Sequence, residues 1–279
     1  MALPAPELKR LGAVAYRELA PEHGADRAPT TLFLHGYPES SYLWRNVMQG
    51  AANAGWRAIA PDFAGFGDTA PDLPGTWERQ LELLDGFVSG LALGPVALVV
   101  HDWGGLIGLR WACDNPGMIR ALVISNSGFF DDGRWHGFAK VLRTPGEGEQ
   151  AMEALTPELL GTFLRQEYPD LTDDALAEFA KSLATPEHRQ AALDLYRSGD
   201  FSKLEPYQGK LGALGVPTLL LWGAEDKFAP VGGAYRFKKQ IPDAELVILE
   251  GAGHFLPEQA PDRFRDEVQR FLGSLTLSG

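Results

Sequence analysis

The sequence predicts an α/β architecture: a mostly parallel central sheet flanked by helices, with an inserted helical cap. Three observations support this prediction. Short, continuously apolar runs alternate with amphipathic helical stretches, which is typical of parallel strands that are buried on both faces. The alternation stops across residues 127–210 and resumes after them. With 279 residues, the chain is long enough to bury a large core.

The first half of the predicted core alternates regularly between strands and helices. The strands are apolar runs, and the helices carry apolar residues three or four positions apart. Strands are predicted at 31–34, 57–60, 96–100 and 121–125, and helices at 41–54, 79–93 and 106–112. The second half continues the pattern with strands predicted at 218–222 and 245–249, and helices at 234–240 and 262–272.

The middle segment, 127–210, contains no convincing strand and several helix-start signals. Thr156 and Thr185 each precede a proline and a glutamate, which predicts a capping hydroxyl before the first helical turn. We therefore predict a helical cap domain at 127–210, inserted into a core domain formed by residues 1–126 and 211–279.

Composition limits the class of protein and its partners. The formal net charge of −12 argues against a nucleic-acid or anionic-membrane partner. The single cysteine, Cys113, excludes an internal disulfide and is compatible with a reducing compartment. The amino-terminal residues lack a signal-peptide pattern, and no apolar run is long enough to span a membrane. We therefore expect a cytoplasmic protein, either a monomer or a homodimer, without a membrane partner.

The most informative stretch runs from Val96 to Leu106. An apolar strand ends at Asp102, and two glycines then lead into a helix, which is the setting of a nucleophile elbow. This tight turn projects one side chain above the sheet edge, usually a serine and here an aspartate. The alternative is that Asp102 caps the helix by accepting hydrogen bonds from backbone N–H groups. This stretch alone leaves both interpretations open.

Residues elsewhere in the chain favour the catalytic interpretation. Asp226 and His254 each follow a predicted apolar strand, so we expect them at the same sheet edge as Asp102. Their order along the chain is nucleophile, acid, histidine, and an imidazole needs a carboxylate to fix its tautomer and stabilise its cation. The backbone N–H groups of Tyr37 and Trp103 are candidates for an oxyanion hole. The sequence thus predicts a catalytic triad that needs neither a metal nor a cofactor.

With these motifs, the sequence resembles the aspartate-nucleophile branch of the α/β-hydrolase superfamily, which comprises epoxide hydrolases and haloalkane dehalogenases. Residues 35–40, His-Gly-Tyr-Pro-Glu-Ser, are similar to an epoxide hydrolase segment. Residues 41–46 and 99–104 are equally similar to haloalkane dehalogenases. The resemblance covers most of the predicted core and is weak across the cap. It implies the α/β-hydrolase fold and a small apolar substrate, either an epoxide or a haloalkane.

An epoxide hydrolase must donate hydrogen bonds to the oxirane oxygen, and the resemblance implies two donors from the cap. Tyr196 is similar to the second of these, 30 residues before the predicted acid. No tyrosine corresponds to the first. His136, next to Trp135, lies near that position, and a bacterial subgroup pairs a histidine with the tyrosine. We therefore expect Tyr196 and His136 to be the donors, and Trp103, Trp135 and Phe138 to line the substrate pocket.

A haloalkane dehalogenase is the alternative. It must stabilise a departing halide, in that family with the tryptophan after the nucleophile, which Trp103 matches, and with a second donor. The asparagine that often serves as this donor is replaced by Tyr37, but Trp135 could take its place. A non-enzymatic ligand-binding homologue is a weaker alternative, because binding needs no triad. The resemblance favours an epoxide hydrolase that forms an alkyl-enzyme ester on Asp102, which His254-activated water hydrolyses to a vicinal diol.

Overall fold

The computed structural model describes residues 6–276, which contain an eight-stranded sheet. Its strands are β1 (Leu8–Leu11), β2 (Val14–Leu19), β3 (Thr30–Leu34), β4 (Arg57–Pro61), β5 (Val96–His101), β6 (Ile119–Ser125), β7 (Thr218–Gly223) and β8 (Glu245–Leu249). Their order across the sheet is β1-β2-β4-β3-β5-β6-β7-β8. The pairs β1–β2 and β2–β4 are antiparallel, and the other pairs are parallel.

Helices flank this sheet and fill the chain between β6 and β7. They are α1 (Met48–Asn53), α2 (Trp77–Gly90), α3 (Trp103–Asp114), α4 (Gly137–Arg143), α5 (Glu147–Ala154), α6 (Pro157–Glu167), α7 (Asp173–Ala180), α8 (Pro186–Ser198), α9 (Lys210–Ala213), α10 (Gly232–Gln240), α11 (Leu256–Gln259) and α12 (Pro261–Thr276). Short 3₁₀ helices lie at Ala25–Arg27, Ser41–Trp44, Pro116–Met118, Lys181–Leu183 and Phe201–Tyr207. The predicted fold class, a mostly parallel sheet flanked by helices, is therefore confirmed.

The central strands explain where a site can form. Every residue of β3, β5 and β7 is buried, as expected for strands with both faces covered. β3 and β5 pair in parallel, with Leu34 opposite Val100, so the loops that follow them start side by side. In an open α/β sheet, the carboxyl ends of such strands are the usual place for a ligand.

Two parts of the core differ from the sequence-based expectation. β1 and β2 were not predicted, because they carry several charged residues and lie at the sheet edge, where the alternation of apolar residues is weak. The predicted helix at 41–54 is instead a 3₁₀ turn, Ser41–Trp44, followed by the short helix α1. Tertiary contacts hold this turn: the Ser41 amide donates to Asp62 Oδ1, and the Arg45 guanidinium pairs with Glu258.

Between β6 and β7 the chain forms only helices and the loops that join them. Residues 126–217, all of them described, contain no strand. Thr156 caps α6 as predicted, since its hydroxyl accepts from the Leu159 amide at 3.2 Å. Thr185 precedes α8 but does not cap it, because its hydroxyl contacts the Glu187 carboxylate and the His188 ring instead. The division into a core domain and a cap domain at 127–210 stays a prediction. Across residues 6–276, no helix combines the length and the apolar character needed to cross a membrane.

Candidate active site

Asp102 occupies a strained turn between β5 and α3. Its backbone angles are φ 47° and ψ −121°, a conformation that non-glycine residues rarely adopt. The Asp102 carbonyl accepts a hydrogen bond from the Ser127 hydroxyl at 2.7 Å, and its amide donates to the Asn126 carbonyl at 3.2 Å. The Asp102 side chain makes no capping hydrogen bond to α3, so the helix-cap interpretation is wrong. The strain instead holds the carboxylate above the sheet edge, as in a nucleophile elbow.

Two glycines make this turn possible. A Cβ atom on Gly36 would overlap the Asp102 carboxylate, and one on Gly104 would overlap the backbone carbonyls of Leu34 and His35. Glycine therefore allows the loop after β3 to approach both the Asp102 carboxylate and the start of α3 closely.

The structure brings Asp102, Asp226 and His254 together. His254 Nδ1 lies 2.8 Å from Asp226 Oδ2, and His254 Nε2 lies 3.5 Å from Asp102 Oδ2. Asp226 is held from its other side, because Oδ1 accepts hydrogen bonds from the Phe228 and Ala229 amides at 2.7 and 2.8 Å. This arrangement orients the imidazole between two carboxylates.

The carboxylates and the imidazole stabilise each other's charged forms. Burial raises the pKa of Asp102, but the hydrogen bond and the charge of His254 outweigh it and lower that pKa to about 2. Burial lowers the pKa of His254, but the charge of Asp226 and the hydrogen bonds with both carboxylates raise it well above its ordinary value. Both shifts favour an ionised Asp102 beside a protonated His254.

Asn126 is a further residue of the site, and no motif in the sequence marks it. Its Nδ2 donates to Asp226 Oδ2 at 2.6 Å, and its Oδ1 accepts from the Gly223 amide at 3.1 Å. It also adopts a positive φ of 42°. Asn126 thus fixes Asp226 against the end of β7. The only signal in the sequence is its place immediately after β6, at the same sheet edge as Asp102.

The Tyr37 amide contacts the Asp102 carboxylate directly, since it donates to Oδ1 at 2.9 Å. The loop that carries it is held by the Gly36 amide, which donates to the buried Glu39 carboxylate at 2.7 Å. The other predicted oxyanion donor, the Trp103 amide, lies at the first residue of α3, and its role stays a prediction. The buried His101 ring, at the end of β5, packs 4.9 Å from that of His254.

Tyr196 is buried on α8 next to the elbow. Its ring meets the Trp103 ring edge-on at 5.3 Å and the Tyr37 ring at 5.4 Å. Burial and the negative charge of Asp102 raise the pKa of Tyr196 well above its ordinary value, although a hydrogen bond with Trp103 opposes this rise. Because an indole N–H can only donate, Trp103 cannot accept the Tyr196 proton, which stays available. Tyr196 is thus a neutral hydroxyl donor beside Asp102.

His136 lies at the amino terminus of α4, where its Nδ1 accepts from the Ala139 amide at 3.4 Å. Burial lowers the pKa of His136, which favours the neutral ring. A neutral ring that accepts through Nδ1 carries its proton on Nε2. His136 can therefore offer one N–H donor from Nε2.

Trp135 stacks on Trp103 with ring centroids 5.3 Å apart, but its indole N–H donates to the Gly199 carbonyl at 3.2 Å. The predicted second halide donor therefore already has a protein acceptor. Phe129 does not line the site but packs in the core, with its ring 5.9 Å from that of Tyr207.

Two cavities meet at Asp102. The first, which we call cavity A, has a volume of about 390 Å³, and the second, cavity B, about 230 Å³. Four residues line both cavities: Asp102, His136, Tyr196 and Phe228. Of the predicted pocket residues, Phe138 lines cavity A, whereas Trp103 and Trp135 line cavity B. Within residues 6–276, no cluster of three histidine, cysteine or carboxylate side chains could hold a metal ion.

Comparison with known proteins identifies the family. A family profile described as alpha/beta hydrolase fold matches residues 29–261. A haloalkane dehalogenase from Agrobacterium fabrum is 35% identical over 264 residues, covering 86% of this chain and 83% of the relative. Epoxide hydrolase 3 from Siraitia grosvenorii is 27% identical and covers 88% of this chain and 92% of the relative.

Solved structures give the same result. The crystal structure of the haloalkane dehalogenase DbeA from Bradyrhizobium elkani superimposes with a TM-score of 0.81 at 26% identity, covering 98% of this chain and 99% of that one. Since the family profile spans most of the chain and similar proteins include both enzyme classes, this chain belongs to the α/β-hydrolase fold family, among relatives that include haloalkane dehalogenases and epoxide hydrolases.

Proposed function

We propose that this chain hydrolyses epoxides through a covalent ester on Asp102. In the first step, Asp102 Oδ2 attacks a ring carbon and the carbon–oxygen bond of the ring breaks. Tyr196 and His136 donate to the ring oxygen as its negative charge develops. The product of this step is an alkyl-enzyme ester whose alkoxide has received a proton from its donor.

Water then hydrolyses the ester. The proton that His254 held beside the ionised Asp102 first replaces the one that the donor gave up. The neutral His254 Nε2, oriented by Asp226, then accepts a proton from water, and the resulting hydroxide attacks the Asp102 carboxyl carbon. The negative charge of the tetrahedral intermediate develops on Oδ1, the atom to which the Tyr37 amide already donates at 2.9 Å. Collapse of the intermediate breaks the bond to the substrate, returns the carboxylate and releases a vicinal diol.

The choice of an epoxide rests on which hydrogen-bond donors are available beside Asp102. Tyr196 and His136 line both cavities with Asp102, and each keeps a proton that it can donate. Of the two indole N–H groups that could bind a halide, that of Trp135 already donates to the Gly199 carbonyl at 3.2 Å. A neutral hydroxyl and a neutral imidazole suit a developing alkoxide, which must be protonated to become a hydroxyl of the diol.

A haloalkane dehalogenase is the second candidate, and the sequence comparisons support it more strongly than the epoxide hydrolase. The dehalogenase from Agrobacterium fabrum is 35% identical, whereas the epoxide hydrolase from Siraitia grosvenorii is 27% identical. The ester cycle on Asp102 would be the same. The halide would be bound by the Trp103 indole or the Tyr196 hydroxyl, whereas the Trp135 indole would first have to leave the Gly199 carbonyl.

Turnover of an aryl epoxide and of a bromoalkane, measured side by side, tests this proposal. We expect diol formation, and we expect Tyr196→Phe to slow it about 100-fold, because one donor to developing charge is lost while the ring is kept. Tyr207→Phe is the matched control, since that hydroxyl bonds to Asp114 on the surface. Bromide release without diol formation would contradict the proposal and establish the dehalogenase.

A further inference from the structure

The two cavities give the site two arms that begin at the same nucleophile. Apart from the four residues they share, the lining residues of cavities A and B differ. A carbon bonded to Asp102 can therefore carry one substituent in each arm. This geometry suits a substrate that reacts in the middle of its chain, such as an epoxide with a substituent on both ring carbons.

The two arms have opposite character. Beyond the shared residues, cavity A is lined by His254 and otherwise by side chains without charge, most of them aliphatic or aromatic: Tyr37, Pro38, Phe138, Leu155, Leu159, Leu160, Phe163, Leu164 and Phe255. Cavity B also has aromatic walls, but among its described lining residues are two arginines, Arg134 and Arg236, and no carboxylate other than Asp102.

The charge around these arginines is only partly compensated. Arg236 stacks over the Phe130 ring at 3.8 Å and pairs with Asp132 at 2.6 Å. The pKa of Asp132 is lowered by its hydrogen bond with Arg236 and, more weakly, by the charge of Arg134. Arg236 is thus paired, whereas Arg134 forms no ion pair within residues 6–276 and is available to an anion that enters cavity B.

We propose, building on the proposed function, that the substrate is an internal epoxide of an aliphatic carboxylic acid. Its alkyl arm lies in cavity A, and its carboxylate arm lies in cavity B and is bound by Arg134. Arg236 is already paired with Asp132, so Arg134 is the guanidinium that contacts the substrate. A guanidinium binds a carboxylate through two parallel hydrogen bonds, so Arg134 would select an acid over its neutral ester.

The test compares cis-5,6-epoxydecanoic acid with its methyl ester, which have the same ring and the same alkyl chain. The measured quantity is the ratio of their kcat/KM values at constant ionic strength, from mass spectrometry of the diols. We expect the wild type to prefer the acid, and Arg134→Gln to lower the ratio about tenfold. Arg134→Lys should retain part of the preference, and Arg10→Gln, on β1, should not change the ratio.

A ratio that is the same in Arg134→Gln and in the wild type, or a wild type that prefers the ester, would overturn this inference. Failure of the proposed function is distinguishable from this outcome. If no epoxide is turned over but bromide is released, 5-bromodecanoic acid and its methyl ester replace the epoxides in the same comparison. A fall of that ratio in Arg134→Gln would still support the carboxylate site, and an unchanged ratio would overturn it.

Discussion

At the scale of single residues, the charge on Asp102 controls the proton on His254. The hydrogen bond with Asp102 and the charge of Asp102 are among the causes that raise the pKa of His254. An ester on Asp102 is neutral, so both contributions disappear once the substrate is attached. His254 then loses its proton more readily, at the stage when the proposed mechanism needs a base. Formation of the intermediate thus prepares its own hydrolysis.

This coupling predicts that Asp102→Asn lowers the pKa of His254, because the amide resembles the neutral ester. At a given neutral pH, a larger fraction of the His254 rings would then be deprotonated. A titration of the imidazole resonances by NMR would measure the shift, with intact mass confirming that the amide is retained. Asp262→Asn, at an exposed position on α12, is the control. A His254 pKa that stays the same or rises in Asp102→Asn would contradict the coupling.

A residue of the site could be predicted from the sequence when it follows an apolar strand. Asp102, Asp226 and His254 do so, and parallel strands deliver their carboxyl ends to one edge of the sheet. Asn126 also follows a strand, but its function depends on a contact with Asp226, 100 positions away. No local pattern encodes such a contact. The acceptor for the Trp135 indole was unpredictable for the same reason, since it is the backbone of Gly199.

At the scale of secondary structure, α8 holds Tyr196 beside Asp102, and Arg143 holds the end of α8. Arg143, the last residue of α4, donates to the carbonyls of Tyr196 and Gly199, and its guanidinium lies 5.4 Å from the centre of the Trp135 ring. Carbonyls at a helix carboxyl terminus lack partners within the helix, so this side chain satisfies two of them. We infer that Arg143 positions Tyr196.

We therefore expect Arg143→Met to lower kcat for epoxide opening on the order of tenfold, because a small displacement of Tyr196 weakens its hydrogen bond to the substrate. Arg143→Lys should restore part of the loss. Arg197→Met is a matched control on α8 itself, since Arg197 pairs with Glu149 on α5 rather than with these carbonyls. Steady-state kinetics would show the difference, and equal losses in Arg143→Met and Arg197→Met would count against a positioning role.

The predictions of secondary structure were correct for strands that are uniformly buried. They were wrong where tertiary contacts determine the backbone conformation. β8 lies at 245–249 as predicted, and β3, β5 and β7 differ from their predictions by a single residue. The helix expected at 41–54 is interrupted because its side chains and amides contact distant parts of the chain. Such contacts override local propensity, and a single sequence does not reveal them.

At the scale of the whole molecule, one buried ion pair joins the amino-terminal and carboxyl-terminal parts of the core close to the site. Arg45 follows the 3₁₀ turn after β3, and Glu258 lies on α11, four residues beyond His254. Their side chains are only 5% and 3% exposed. The pair has two hydrogen bonds, one of them 2.8 Å between Arg45 Nη2 and Glu258 Oε2, and the guanidinium also stacks on the Tyr42 ring at 4.0 Å. This contact ties the segment that carries His254 to the amino-terminal half of the sheet.

Breaking this pair should destabilise the protein strongly. Arg45→Met leaves the Glu258 carboxylate buried without its partner, which is expected to cost about 3–5 kcal/mol of the free energy of unfolding. The double variant Arg45→Met/Glu258→Leu removes both charges and should recover most of that loss, because the cost arises from the unpaired charge rather than from the absent attraction. Urea unfolding of the wild type and the two variants would measure these differences.

A pair on the surface provides the control for this prediction. Arg270 pairs with Glu245, and the two side chains are 50% and 48% exposed. Because water screens such a pair, Arg270→Met should cost only about 0–1 kcal/mol. If Arg45→Met were no more destabilising than Arg270→Met, the Glu258 carboxylate would have to be reached by water or neutralised by a proton. If the double variant were as unstable as Arg45→Met, lost packing around Tyr42, and not the unpaired charge, would be the cause.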